Sequence, residues 1–429
     1  MNEREKVLDH LHNDYTEPVR DPVWKHIPIS RALLRVAEHS QFQKLDRIRQ
    51  LGPAYLVYPG ATHTRRSHSL GVFHVARRMM TSLARHASDA PITLAGVRAF
   101  LCACLLHDIG HYPFAHSLKD LDVEAHEEIA AREIIGALSS VIRTELYADP
   151  TFVAAIISRN VPPGLPDVEF YRRMLSGVLD PDKLDYLNRD AYFCGVPYGI
   201  QDVDFILEEI FPDKGSGVAI SPKGITALED ILFSKYLMYK TVYWHKTVRI
   251  ATAMIKKAVA MGLSEGAITR GDLYGLDDEE FFAHFSAARY PPFGLIEHVR
   301  RRELYRQVWR APFREDDASH GRIEDIQQRL LAEERIAREA GISAGKRVPA
   351  QDIVLDVPER VSFDFDVSVI EPATRRVVPA PGVRTPSVLP RLGGDDLPRS
   401  IRYISVSARR DEALIAALER LDIGEIIAQ

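Results

Sequence analysis

From Ser30 to roughly Arg310, apolar residues recur at three- and four-residue spacing, and Gly and Pro separate the blocks. That period belongs to helices with one buried face. It predicts helices near 41–51, 67–86, 94–108, 125–140, 151–159, 181–193, 202–210, 225–262 and 296–309. The 94–108 block is apolar nearly all round, so it should be fully buried. A short pair of strands fits 216–221, beside Gly215 and Gly217.

Near Ala311 the pattern changes. APFREDDASHGR is polar and reads as a linker, and a Glu-, Arg- and Ala-rich helix follows at about 322–340. Strand-like runs then appear at Asp352–Asp356, Val361–Ile370 and Ile401–Ser407. RVSFDFDVSVI alternates with period two, as a half-buried strand does. The Pro-rich stretch 372–398 reads as a loop, and an amphipathic helix covers about 411–421. The fold class is therefore mainly α: a helical body over 1–310 with a small α/β C-terminal appendage over 311–429.

Composition narrows the function. The 429 residues are 46% hydrophobic and 27% charged, which is ordinary for a globular chain. A net charge of -5 argues against a surface that grips nucleic acid throughout, although 55 basic residues leave room for local basic pockets. The apolar runs are too short for a membrane span, and the charged N-terminus lacks a secretion signal. Cys102, Cys104 and Cys194 do not form a zinc pattern, and the first two read as reduced core thiols. These features predict a cytoplasmic protein.

Four places hold side chains that are unusual for where they sit. In TRRSHSLGVFHVARRMM, His68 shares a stripe with Val72, Val75 and Met79 and so points inward. The buried 94–108 helix ends in His107 and Asp108, with Gly110 as the expected C-terminal cap. A carboxylate there is costly unless it is paired or on a metal. His126 and Glu127 open a further helix. In LDPDKLDYLNRD, Asp180 reads as an N-cap with Pro181 behind it, and Asp182, Tyr186 and Asp190 share a face beside Lys183. Two imidazoles and two carboxylates, His68, His107, Asp108 and Asp182, suit a divalent metal: Mg, Mn, Fe, Ni or Zn. Such a metal acidifies bound water and polarises phosphorus. His111, His116 and His126 could act on phosphate oxygens or a leaving alkoxide, and Arg65 and Lys183 could offset phosphate charge.

The set H…HD…D resembles the signature of HD-domain phosphohydrolases. The wider strings FQKLDRIRQLGPAYLVYPGATHTRRSHSLGV, LLHDIGHYPFAHSL and LDPDKLDYLNRDAYFCGVPYG, with HEE at 126–128, resemble its dNTP triphosphohydrolase branch over roughly residues 17–310. The resemblance implies a homo-oligomer that cleaves dNTPs to deoxynucleoside and triphosphate. It implies metal ligands at His68, His107, Asp108 and Asp182, a phosphate-binding Arg65, and active-site roles for His111, His116, His126 and Glu127. It places Gln50 and Leu51 where the deoxyribose is checked. Lys183, Tyr186 and Asp190 match phosphate and sugar contacts, and Lys235, Tyr239 and Tyr243 match the nucleotide pocket. Vertebrate members are activated by a nucleotide held in a separate pocket. Here Asp46 and Leu207 stand where basic residues serve that pocket, although Arg302 and Lys246 match it, so guanine-nucleotide activation of that kind is not expected.

Plainer readings compete with several of these assignments. Taken alone, His68 would read as a core histidine; its partners turn the reading to metal. His63 and His74 read as surface or loop residues, and His245 is left open. Tyr239 and Tyr243 divide evenly between core aromatics and pocket. Lys183 and Asp190 also suit a surface pair, and Asp185 reads as capping or solvating its helix. Arg77, Arg78, Lys256 and Lys257 read as solvated faces; Arg300, Arg301 and Arg302 read the same way or as an anion site. Two other functions stay open: hydrolysis of another nucleotide phosphoester, and non-catalytic binding of nucleic acid or a regulator, which the ligand set disfavours.

Overall fold

An apolar helix surrounded by other helices loses its solvent face first, and Leu94–Leu106 is buried without a break from Ala99 to Leu106. The computed structural model describes residues 1–86, 88–164, 167–361, 367–370, 377–379 and 396–429. Around that central helix pack Glu3–Asn13, Arg65–Ala84, Pro150–Ile157 and Val168–Leu175, and Pro181–Cys194 lies against Arg65–Ala84. One continuous apolar core joins them. The fold is mainly helical, with small sheets, as the pattern predicts. Among the described residues no helix is long and apolar enough to cross a membrane.

Several expected elements are corrected. The predicted 225–262 helix is three pieces: Ile225–Met238, a wider π-turn at Tyr239–Tyr243, and Lys246–Ser264. His245 caps the third piece, its side chain accepting from the Thr247 N–H, which is why the helix cannot run through. The 41–51 helix shortens to Ser40–Gln43 with a 3-10 turn at Lys44–Arg47, and 125–140 splits into His126–Ile135 and Ser139–Leu146. The 296–309 helix stops at Arg300, and Arg306–Pro312 is a strand.

That strand forms a three-stranded antiparallel sheet with Tyr403–Ala408 in the middle and Ile353–Asp356 on the far side. Ile326–Ala344, Glu412–Leu418 and Ile423–Ala428 cover the sheet around their own apolar cluster. The expected linker at 311 is thus the end of a strand followed by a short helix, Ala318–Arg322. Of the alternating run 361–370, residues 362–366 lie outside the described residues. Ser368–Ile370 leaves this sheet and pairs in parallel with Gly217–Ile220 of the helical body. Within the Pro-rich stretch, Val377–Pro379 is a strand against Ser368–Ile370 and Asp396–Ile401 is a helix; 372–376 and 380–395 lie outside the described residues.

The seam between body and C-terminal sheet is held by buried charges. Lys256 and Lys257 were expected on a solvated face, yet both are buried. Lys257 Nζ donates to Glu333 Oε2 at 2.6 Å and to the carbonyls of Ala350 and Ile353 at 2.7 and 2.6 Å. Lys256 reaches Asp120 at 2.9 Å. Both face the neighbouring segment because their helix has no solvent side at this point. Arg77 likewise turns inward, donating to Leu11 O and lying over the Tyr15 ring. Removing Glu333 strands the Lys257 ammonium, so Glu333→Ala should lower unfolding free energy by roughly 3–5 kcal/mol in a urea titration.

Candidate active site

Thr64 caps the Arg65–Ala84 helix by accepting from the Ser67 N–H, which places Arg65 and His68 one turn apart facing the core. The His68 ring is fixed from behind: its Nδ1 lies 2.9 Å from Asp185 Oδ2. Asp185 also accepts from Trp24 Nε1 at 2.5 Å and from Arg189 Nε and Nη2 at 2.8 and 3.0 Å. Arg189 continues to Asp21 at 2.8 Å. The front nitrogen, Nε2, is therefore the one offered to the site, 3.0 Å from Asp182 Oδ1. Asp185 was expected to cap or solvate its helix; it is instead a buried positioning residue. Its spacing to Arg189, four positions on among apolar neighbours, is the signal for this pairing.

His107 follows the end of the buried helix, and its Nδ1 donates to Cys104 O at 2.9 Å, again turning Nε2 toward the site. Asp108 accepts from Arg65 Nη1 at 2.7 Å and lies 3.4 Å from His107 Nε2 and 3.2 Å from His111 Nε2. Gly110 does not cap that helix, because its φ is not positive. A Cβ there would meet His126 O at 2.1 Å and Ala130 N at 2.5 Å, so glycine is needed for the close docking of the His126 helix. His126 then stacks on His111 with centroids 3.8 Å apart, His116 lies 4.7 Å from His111, and Glu127 stands 3.2 Å from His126 Nδ1.

Asp180 caps Pro181–Cys194 as expected, accepting from the Lys183 N–H at 2.7 Å. The Lys183 ammonium also turns back onto Asp180 at 2.5 Å, so it does not pair with Asp190. Asp190 is held by His63 Nε2 at 2.8 Å and by the Tyr243 hydroxyl at 2.6 Å. His63 is therefore buried and engaged, not a surface residue, and it stacks on Phe193. His74 is buried too, and burial lowers it to about 3.

These groups converge on one cavity of about 1260 Å³. Every residue predicted for the site lines it except His111, which sits fully buried behind Asp108. Gln50 and Leu51 line it, as do Lys235, Tyr186, Tyr239 and Tyr243. Among the described residues, Gln50 Oε1 and Arg65 Nε are buried beside the cavity without a hydrogen-bond partner. Asp46 reaches Arg66, Leu207 is buried, and Arg302 donates to Leu56 O; these three and Lys246 all lie away from the cavity wall.

The donor set fits a divalent metal. His68, His107 and Asp182 bring ligand atoms within 4.8 Å of one another, and Asp108, His111 and His126 form a second such group next to it. Both imidazoles that face the first group have their other nitrogen engaged, which is the usual support for a ligating histidine. Charge is arranged to match. Burial works against the Asp108 carboxylate, but His107, His111 and Arg65 outweigh it and hold it well below the usual range. Burial, reinforced by nearby rings and Arg65, keeps His111 and His126 far below the ordinary histidine range, so they are neutral near pH 7. For His68, burial opposes the cation, but the bonds to Asp182 and Asp185 prevail and raise it to about 10.

The chain is similar to known proteins. Residues 65–160 match the HD domain and residues 202–375 match the HD associated region. An uncharacterized protein of Methanocaldococcus jannaschii is 33% identical over 293 residues, 68% of this chain and 59% of that protein. A protein of Acanthamoeba polyphaga mimivirus named for its HD domain is 30% identical over 332 residues, 67% of this chain and 72% of its own length. The deoxynucleoside triphosphate triphosphohydrolase SAMHD1 of Danio rerio is 28% identical over 287 residues, 58% of this chain and 46% of that enzyme. The chain thus spans about half to three fifths of the archaeal and fish relatives. A solved hypothetical protein from Aquifex aeolicus has the same fold, with a TM-score of 0.69 over 94% of this chain and 99% of that one, at 24% identity.

A histidine that ligates a metal must first lose its proton. With His68 raised to about 10, metal uptake should release a proton near neutral pH, and apparent affinity should climb with pH until about 10. Calorimetry in buffers of different ionisation enthalpy measures that proton. Asp185→Asn, which weakens the support behind His68, should lower metal affinity by roughly 10–100-fold in the same titration.

Proposed function

The chain belongs to the HD-domain phosphohydrolase family, and on that footing we propose that it is a metal-dependent dNTP triphosphohydrolase. Water attacks the α-phosphorus, the bond to the 5′ oxygen breaks, and deoxynucleoside and inorganic triphosphate leave. The observation that carries this reading is the pairing, within one cavity, of the His68–His107–Asp182 group with the Gln50, Tyr186, Asp190 and Tyr243 wall. The first is a site for phosphorus chemistry, and the second offers rings and fixed polar groups that suit a nucleoside. The name of the fish relative supports the substrate class.

A divalent metal bound by His68, His107, Asp108 and Asp182 would supply an acidified water and a polarised phosphate. Arg65 is held by Asp108 at one nitrogen and keeps Nε for a phosphate oxygen. Lys183, its ammonium on Asp180, also lines the cavity and would turn to a phosphate oxygen. His116 and His126 line the cavity and, kept neutral by burial, would donate a ring N–H hydrogen bond to the leaving 5′ oxygen, with His111 stacked on His126 to fix the geometry. Glu127 orients His126. Leu51 and Gln50 form the edge where a ribose 2′-hydroxyl would meet an apolar side chain and an already fixed backbone; the Gln50 N–H donates to His63 O at 3.0 Å. Lys235 and Tyr239 complete the pocket wall.

Incubating the protein with each of the four dNTPs, with and without GTP, in Mg and in Mn tests the reading. The expected products are deoxynucleoside and triphosphate, without a need for GTP, and Asp108→Ala should cut turnover by at least about 10³-fold, the scale of losing a metal-activated nucleophile. Orthophosphate or pyrophosphate in place of triphosphate would move the substrate to another nucleotide phosphoester. Salt-sensitive binding of single-stranded nucleic acid without any turnover would replace the reading by a binding role.

A further inference from the structure

The C-terminal region contributes directly to the cavity. Arg249, buried at the start of the Lys246–Ser264 helix, donates through Nε and Nη2 to Asp356 at 2.9 and 2.6 Å and through Nη1 to Glu359 Oε2 at 2.9 Å. The other Glu359 oxygen, Oε1, accepts from Trp244 Nε1 at 3.1 Å. Trp244 closes the π-turn: its backbone N–H donates to Tyr239 O at 2.9 Å, and its ring meets the Tyr239 ring edge-on with centroids 5.4 Å apart. Tyr239 in turn meets Tyr243 edge-on at 5.0 Å, and Tyr243 holds Asp190. Glu359, Tyr239 and Tyr243 all line the cavity.

A π-turn is a minority conformation and needs outside support. If Tyr239–Tyr243 relaxed into an ordinary helix, the register would slip by one residue. Side chains beyond the slip would then turn by about 100°, one residue's share of a helical turn. The Tyr243 hydroxyl would leave Asp190, and the cavity lining that Tyr239 and Tyr243 form would be displaced. Within the body, the Tyr58 hydroxyl supports the turn at Thr241 O, at 2.8 Å. Glu359 supplies support from outside the body, through a residue 115 positions away in sequence from the Trp244 it holds.

We propose that Glu359 is a positioning residue: it clamps Trp244 and thereby holds Tyr239 and Tyr243 against the nucleoside part of the substrate. This rests on the nucleotide reading above and assigns part of that site's recognition to the C-terminal region. Arg249 keeps Asp356 when Glu359 is truncated, so the seam survives the test substitution.

The test is calorimetric titration of the metal alone, and then of each dNTP, into wild type, Glu359→Ala, Trp244→Phe and the double variant, with steady-state kinetics alongside. Each single variant should bind dNTPs about five- to tenfold more weakly, the scale of one ordinary hydrogen bond lost. KM should rise in step, kcat and metal affinity should be unchanged, and the double variant should lose no more than the weaker single one, because both cut the same link. Glu359→Ala that binds and cleaves dNTPs like wild type overturns the positioning role and leaves the enzyme reading intact. So do losses that add in the double variant, or a loss of metal affinity alongside the nucleotide. A wild type that neither binds nor cleaves any dNTP overturns the enzyme reading and this role with it.

Discussion

The site depends on a charge that has no solvent. Arg189 is fully buried between Asp185, also fully buried, and Asp21. An unpaired charge in such a place would cost several kcal/mol, so each partner holds the others in register. The consequences reach three elements at once. The Glu17–Asp21 strand is drawn against the Pro181–Cys194 helix, Trp24 of the adjoining turn is fixed by the same carboxylate, and Arg65–Ala84 must come close enough for His68 to join. Gly71 permits that approach, since a Cβ there would lie 1.8 Å from Asp185 Oδ1. The aim of His68 Nε2 is the last link in this chain of constraints.

The cavity brings closely packed charges together with buried phenols. Around Asp108 and Asp182, acids, imidazoles and Arg65 stand within hydrogen-bond range of one another, so local charge balance is sensitive to any one group. Around Tyr186, Tyr239 and Tyr243, burial pushes the phenols up, and they stay neutral donors at any ordinary pH. Closely packed charges and neutral phenolic donors thus share one cavity.

The helical class, the buried central helix and the groups around the cavity were legible because they rest on local periodicity and on short motifs whose spacing survives folding. His68, His107 and Asp182 are brought together as expected. What was not legible was pairing across distance. Asp185 and His63 looked ordinary because their partners, His68 and Asp190, lie 117 and 127 residues away. Lys257 looked solvated because Glu333 lies in a region whose docking the sequence pattern does not encode. The π-turn escaped for a different reason: YKTVY keeps helical composition, and the turn rests on the Trp244 and His245 caps and on contacts from distant residues, Tyr58 and Glu359.

The strand Ser368–Ile370 leaves the C-terminal sheet to join Gly217–Ile220, and the chain afterwards returns to place Tyr403–Ala408 between its two neighbours. A region threaded in this way is not a detachable cassette. A recombination event that exchanged residues beyond Arg310 with those of a relative would also import a strand that must match the recipient's sheet in register, and an acid that must meet the recipient's tryptophan. Such exchanges face two compatibility checks at once, so the two parts of the chain should change over evolutionary time as a pair.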